Sequence, residues 1–405
     1  MTRATASDQA REYPAFPMPP ACSFAPPPDY AELHSRAPVT RVAFRDGRRA
    51  WLVTSYAYVR RVLADPRSGS NRGDVGFPTI VPLAPHRPDK GNLVSLDPPE
   101  HTVLRRLLSG EFTLRRMNAL RPRIRRLVDG QVVRLMRQAR PVDLVDSFAR
   151  PVPLLVLCDL LGIPYADHHL ILRLIGAQVR TTVTAGQREA ARRALDDYLR
   201  DHVTAKEQAP ADDLLSRIAE KLRQAGTYDR EVLTRIAAML LVAGHGTTMN
   251  TIGLGTVGLL REPGRIAALA RYPAEIPGTV EELLRYYSVA DPVSRRVALA
   301  GMRLGNVSVR AGDGIIASLL AANHDSSVFP DPSSLRTGHN ARHHLAFGYG
   351  VHQCLGQNLA RVILQCVLAS LSAHVPGLRL AVPERDLPLT SDATTYGLRE
   401  AWVAW

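Results

Sequence analysis

The segment FGYGVHQCLG, residues 347–356, sets one cysteine among three glycines and a histidine. A thiolate is a strong ligand for haem iron. It donates electron density that favours O–O cleavage, provided that it stays deprotonated and close to the porphyrin plane. Glycines at 348, 350 and 356 would let the main chain approach a flat macrocycle. The helical pattern that starts near Cys354 would aim its N-terminal amides at the sulfur. The alternative reading is a buried structural cysteine beside a glycine turn, and Cys22, Cys158 and Cys366 are read that way. Three further segments carry chemistry-bearing residues. AGHGTT at 243–248 places two threonines and a histidine in a stretch without charge. VEELLRY puts Glu282 and Arg285 on one helix face, and DPPEHTVLRRLL sets His101 and Arg105 one turn apart.

Mostly helical elements must position these residues. Apolar residues recur at three and four in 101–109, 119–136, 152–161, 188–203, 212–224, 230–260, 275–287 and 356–373. Period-two alternation is confined to 39–55, with Asp46-Gly47 as a hairpin turn, and to 297–319. There is no internal repeat, and the proline-rich pieces at 14–28, 78–88 and 330–332 are short. The chain therefore reads as mainly α with small β-sheets, one domain over 1–405 with a strand-like, proline-rich lead-in over 1–30.

Composition excludes several classes. With 405 residues, 45% hydrophobic and 22% charged, the chain can bury a large core. Its four cysteines lack zinc-type spacing and are too few to staple it, and the N-terminus has no apolar run of signal length; a cytoplasmic setting fits. The 25 residues between Arg235 and Arg261 carry no Asp, Glu, Lys or Arg, a membrane-spanning length. They also hold His245, Asn250, four threonines and five glycines, which suits a buried helix and no membrane. The formal charge is +13, almost all from arginine, lysine occurring only at 90, 206 and 221. The densest basic run, 114–127, lacks aromatic residues and sits at helical spacing, so it reads as a solvated helix face and not a nucleic-acid groove. A smaller acidic protein is a fitting partner.

These segments together resemble the cytochrome P450 family, especially its soluble bacterial, actinomycete-like members. FGYGVHQCLG is similar to the family's haem-binding signature, AGHGTT to its oxygen-activating segment, VEELLRY to its ExxR pair, and DPPEHTVLRRLL and RRVA to its propionate-binding segments. They fall in the family's order across nearly the whole chain. The resemblance implies a triangular prism of helices, with haem b buried between a long central helix and the helix after the cysteine. It implies Cys354 as axial ligand, with Phe347, Gly348 and Gly356 beside the macrocycle, and His101, Arg105, Arg296 and His352 on the propionates. Thr247, with Ala243 and Gly246, takes the oxygen-activating positions, and Val293 lies near the iron with Ala243 and Thr247. Substrate would be lined from 66–95, 165–205, 239–248, 289–294 and 392–397.

Two departures stand out. Where the family mostly carries Asp or Glu before the threonine, this chain has Gly246, which removes a proton relay; water or a polar substrate group is expected in its space. His245, common in the family, is read as structural. Where the family often adds an arginine to the ExxR pair, the chain has Ser334, with Arg336 as the candidate replacement. The expected function is oxygenation of a medium-sized natural product by O2. Ferredoxin and ferredoxin reductase would supply electrons and dock on the basic surface near 105–126 and Arg361. Oxidative coupling of aromatic rings in a cyclic dipeptide or peptide is the second reading, from Gly246 and the GFPTIVP loop at 76–82. A haem-dependent binding or sensing protein without turnover is the third.

Overall fold

Short polar residues open the main helices. Ser55, Thr113, Thr184, Asp213 and Asp229 each precede a helix and accept a hydrogen bond from its first turn. They satisfy amides that have no partner within the helix. A computed structural model describes residues 13–18, 26–80, 90–180, 182–338, 341–390 and 395–405. Cys22, most of the lead-in, residues 81–82 of the GFPTIVP loop and 392–394 of the expected pocket lie outside the described residues.

In chain order the first elements are α1 (Pro28–Arg36), β1 (Val39–Ala43), β2 (Arg49–Val53), α2 (Tyr56–Ala64) and β3 (Ser68–Gly69). Next come α3 (Glu100–Ser109), α4 (Leu114–Met136), β4 (Val142–Asp143), α5 (Pro151–Leu161), α6 (His168–Val179), α7 (Ala185–Gln208) and α8 (Leu214–Gln224). The central α9 (Arg230–Leu260) is followed by α10 (Arg265–Arg271), α11 (Ile276–Tyr287), β5 (Arg295–Ala298), β6 (Met302–Leu304), β7 (Val307–Val309), β8 (Gly314–Ala317) and α12 (Leu319–Asn323). The chain closes with α13 (Gln357–His374), β9 (Arg379–Leu380) and β10 (Trp402–Ala404).

The larger sheet runs β1-β2-β8-β5-β3, with β2 and β8 parallel and the other pairs antiparallel. Gly47, at φ 83°, turns the β1–β2 hairpin as its position predicts, and Val39 faces Val53. Residues 14–16 of the lead-in lie along β1, with Phe16 N donating to the Ala43 carbonyl at 2.9 Å. Its end is helical instead: Pro28 opens α1, where a missing N–H costs nothing. Helices α2, α6 and α10 also lie outside the periodic stretches, and the alternation expected to 319 stops at Ala317, where Ser318 caps α12.

Helix α9 has the length and hydropathy of a membrane span. In the fold it packs against α5, α7, α11 and α13, with Ile236, Leu241, Leu254 and Val257 buried, as the core-helix reading expects. His245 sits inside this packing with Nε2 3.0 Å from the Arg150 carbonyl, just after a π-helical turn at Val145–Ala149. That contact ties α9 to the start of α5, in keeping with a structural reading of the ring. Burial pushes its pKa down from 6.5 to about 4, outweighing that bond.

Glu282 and Arg285 of α11 are fully buried and bonded twice, each contact 2.8 Å. The guanidinium also donates to the carbonyls of Asn323, Pro332 and Ser334. The expected replacement for the family arginine takes a different form. Arg336 gives Glu282 its backbone amide at 3.0 Å, while its guanidinium turns outward to Asp331. A main-chain donor costs no side-chain entropy, so Arg336 serves the pair without lending its own charge.

Arg285→Leu would leave Glu282 buried without its counter-charge and three carbonyls without donors; we expect a loss of about 3–5 kcal/mol in urea unfolding. The depressed pKa of His245 makes stability full above pH 6.5 and lost as pH falls toward 4, because only the unfolded chain takes the proton in that window. His245→Gln, which keeps a donor to Arg150, should narrow the stability gap between pH 7 and pH 4.5 by about 2 kcal/mol.

Candidate functional site

The loop before α13 is built around Cys354. Its amide donates to the Phe347 carbonyl at 2.8 Å, and Gly348 N donates to Leu345 at 2.7 Å. Gly348 and Gly350 have φ of 70° and 75°, a backbone region that favours glycine. The glycines serve different ends. A Cβ on Gly348 or Gly356 would meet open space, as expected of a backbone edge left clear for a flat group. A Cβ on Gly350 would fall 2.3 Å from the Leu63 carbonyl, so this glycine allows α2 to pack against the loop and not a macrocycle. Burial raises the pKa of the Cys354 thiol, opposed by the Gly356 amide, Arg105 and Arg361. A metal bound at the sulfur would deprotonate it outright.

Beside the thiol lies a group of basic residues drawn from three elements: His101 and Arg105 of α3, Arg296 of β5 and His352 of the loop. The rings of His101 and His352 are 4.2 Å apart. His101 is 1% exposed, yet neither ring nitrogen has a partner among the described residues. Arg296 is buried and donates to the carbonyl of its own neighbour, Arg295. Burial, and then the neighbouring cations, push His101 to about 4; burial brings Arg296 to about 10. Among the described residues, Asp97 is the carboxylate that reaches this group, 3.4 Å from His352 Nε2. Burial would raise its pKa, but His352 and the amides of Ser70 and Asn71 outweigh that and hold it below the ordinary value. Cations held out of water without matching anions are costly. A dianionic macrocycle fits this site: two carboxylates would satisfy the orphaned nitrogens, beside open glycine backbone and a thiol.

On α9 the residues 243, 246, 247 and 250 share one face. Ala243 is exposed although it lies in the middle of a core helix. Thr247 Oγ1 donates to the Ala243 carbonyl at 3.0 Å, leaving its oxygen as an acceptor. The two glycines face opposite ways. Gly244 packs on Leu157, where a Cβ would come within 3.2 Å, so only Gly246 is an opening on the Thr247 side. Outside the helix itself, and among the described residues, the nearest atom to a Cβ at 246 would be Thr395 Oγ1 at 3.9 Å, and Asn250 Nδ2 donates to that same oxygen at 2.9 Å. Val293 ends the turn Asp291–Val293 that leads into β5.

Sequence reasoning missed Asp97, Asn250 and Thr395 as members of this neighbourhood. Asn250 carried a signal, as an amide one turn beyond Gly246 in an apolar helix; Thr395 fell within the 392–397 stretch expected to line substrate, but nothing in the sequence tied it to Asn250 or Gly246. One expectation is corrected: Arg361 binds Glu281 through two contacts of 2.7 and 3.0 Å and stacks 4.6 Å from Phe347, so it is not a free cation for an acidic partner. The run at 114–127 is the helix face expected, with Arg116, Arg123 and Arg125 paired to Glu111, Asp159 and Asp129. Cys158 and Cys366 are free and buried, as expected of structural cysteines.

Residues 276–374 match the family described as Cytochrome P450. The chain is 41% identical over 405 residues to Cytochrome P450 105A3 of Streptomyces carbophilus, covering 100% of this chain and 98% of the relative. It is 41% identical over 392 residues to pentalenic acid synthase of Streptomyces avermitilis, covering 96% and 97%. The solved structure of mycinamicin VIII C21 methyl hydroxylase MycCI from Micromonospora griseorubida, bound to mycinamicin VIII, has a TM-score of 0.90 at 37% identity, over 97% of this chain and 100% of that one. Relatives named as hydroxylases and synthases displace the reading of a sensor without turnover. With a thiol under open backbone, unmatched buried cations beside it and this likeness along its length, the chain belongs to the cytochrome P450 family and is a haem-dependent oxidoreductase.

Proposed function

We propose that this enzyme inserts one oxygen atom from O2 into an unactivated C–H position of a medium-sized natural product, as a tailoring step of secondary metabolism. The observation that carries the reading is the unmatched cation group beside Cys354. Support for the product class comes from the names of a pentalenic acid synthase and a mycinamicin methyl hydroxylase among its relatives. Among the described residues no feature favours ring coupling over oxygen insertion, so coupling is left to the product analysis below.

In this reading Cys354 holds the iron. His101, Arg105, Arg296 and His352 bind the propionates, and Phe347, Gly348 and Gly356 give the flat group its backbone edge. The haem, when bound, supplies the oxidising chemistry, while the protein supplies orientation and electrostatics. Thr247 holds a proton donor close to Ala243 by accepting at Oγ1, and the exposed Ala243 leaves room above the group. Val293, before β5, borders the substrate. The chain acts as one unit in the cytoplasm. Electrons come from a ferredoxin and its reductase, an acidic partner suited to the exposed Arg106, Arg115 and Arg126, which have no carboxylate partner among the described residues.

Cys354→Ser should abolish the carbon-monoxide difference band at the family's Soret position, and an unchanged band would refute sulfur ligation. His101→Ala or Arg296→Leu should each speed haem loss to an acceptor apoprotein roughly tenfold, one charge-assisted bond being lost. With a substrate found by spectral shift, mass spectrometry should show a product heavier by one oxygen; loss of two hydrogens would mean coupling instead.

A further inference from the structure

We propose that the Thr395 hydroxyl, held in place by Asn250, stands in for the carboxylate absent at position 246 and supplies protons to a water seated against Gly246 and held by Thr247. The inference rests on the reading of Thr247 as the residue that supports protonation.

Helix geometry brings the parts together. Residues 246, 247 and 250 share a face, and side chains on a helix lean toward its N-terminus, so the Asn250 amide lies over Gly246. Asn250 is 4% exposed, and its Nδ2 donates to Thr395 Oγ1 at 2.9 Å. A hydroxyl that accepts at one lone pair keeps its own O–H free to donate elsewhere. Outside the helix itself, and among the described residues, that oxygen is the nearest atom to the space a Cβ at 246 would fill, 3.9 Å away. The turn that brings it there is fitted to the amide. A Cβ on Gly397 would fall 2.2 Å from Asn250 Oδ1, so a side chain there would push the amide from its place. Tyr396 N donates to Val289 at 3.2 Å and Thr390 N to Gly397 at 2.9 Å, tying the residues just after Thr395 to the fold.

Thr247 completes the path. Its hydroxyl donates to Ala243, so its oxygen accepts from water in the Gly246 notch. In each step Thr395 gives its hydroxyl proton to that water, the water gives one of its own to the dioxygen being reduced, and Thr395 takes a replacement from water on its outer, half-exposed side. One proton moves and no side chain is left charged. Thr395 is the relay group and Asn250 a positioning residue. A carboxylate placed at 246 would stand among the same donors, which makes rescue the natural test.

The holoenzyme is driven by a plant-type ferredoxin and its reductase without added substrate, and peroxide released per O2 consumed is measured for wild type, Thr395→Val, Thr247→Ala, and Thr395→Val with Gly246→Glu. The infrared C–O stretch of the ferrous carbon-monoxide complex reports polarity at the notch independently of turnover. Thr395→Val should raise the peroxide yield about threefold or more. It should also shift the stretch and leave the melting temperature within about 2 °C, and Gly246→Glu should restore the yield. An unchanged yield and stretch in Thr395→Val, with Thr247→Ala uncoupled, would overturn the relay and leave the Thr247 reading intact. Failure of Gly246→Glu to rescue would overturn the claim that Thr395 replaces a carboxylate. If Thr247→Ala is also unchanged, the reading of Thr247 fails and takes the relay with it.

Discussion

Two arginines and two histidines are gathered beside one thiol, His101 and Arg296 buried, with Asp97 the carboxylate that reaches the group among the described residues, and the rest of the architecture serves this imbalance. Removing an arginine or a protonated histidine from water is costly unless an anion meets it. The fold bears that cost by collecting His101 and Arg105 from α3, Arg296 from β5 and His352 from the cysteine loop into one place. Left alone, the histidines respond by staying neutral, as the depressed pKa of His101 reflects. A ligand bearing two carboxylates reverses this preference, so binding the cofactor and relieving the electrostatic debt are one event.

Holding such a group requires a rigid frame, and the frame is tied by a second buried charge pair that is fully satisfied. Arg285 spends its donors on Glu282 and on carbonyls at Asn323, Pro332 and Ser334, which fixes the segment leading toward the cysteine loop to α11. The neighbouring Glu281 takes Arg361 of α13 and lies 3.2 Å from His344, which couples the same helix to the one after Cys354. The contrast is instructive: the structural pair has every partner within the chain, whereas the site keeps polar atoms unpartnered.

The central helix is a compromise between packing and opening. Gly244 exists to let Leu157 close on it, and His245 is spent on the Arg150 carbonyl, so the side of α9 toward α5 is sealed. On the other side Ala243, Gly246 and Thr247 leave room, and the polar groups there come from Asn250 and from the chain's last turn. A glycine where an acid is usual is therefore not an empty place, because an amide and a hydroxyl border it.

Much was legible in the sequence. Eight of the helices, the hairpin at Asp46-Gly47 and the buried nature of 236–260 rest on local spacing, because period and turn chemistry are properties of neighbouring residues, while Cys354, His101, Arg105, Arg296 and His352 became candidates together through the resemblance of short motifs to the family. Helix α1 escaped, since proline reads as a breaker until it stands at a helix start. Only the tertiary structure decided which groups were left unmatched and which were already spent. Arg361 looked free and is paired with Glu281, 80 residues away; Arg336 serves through its amide; Thr395 reaches Asn250 across 145 residues. A hydrogen bond or ion pair between distant segments leaves no periodic trace, because its geometry is set by how whole elements pack and not by the residues on either side.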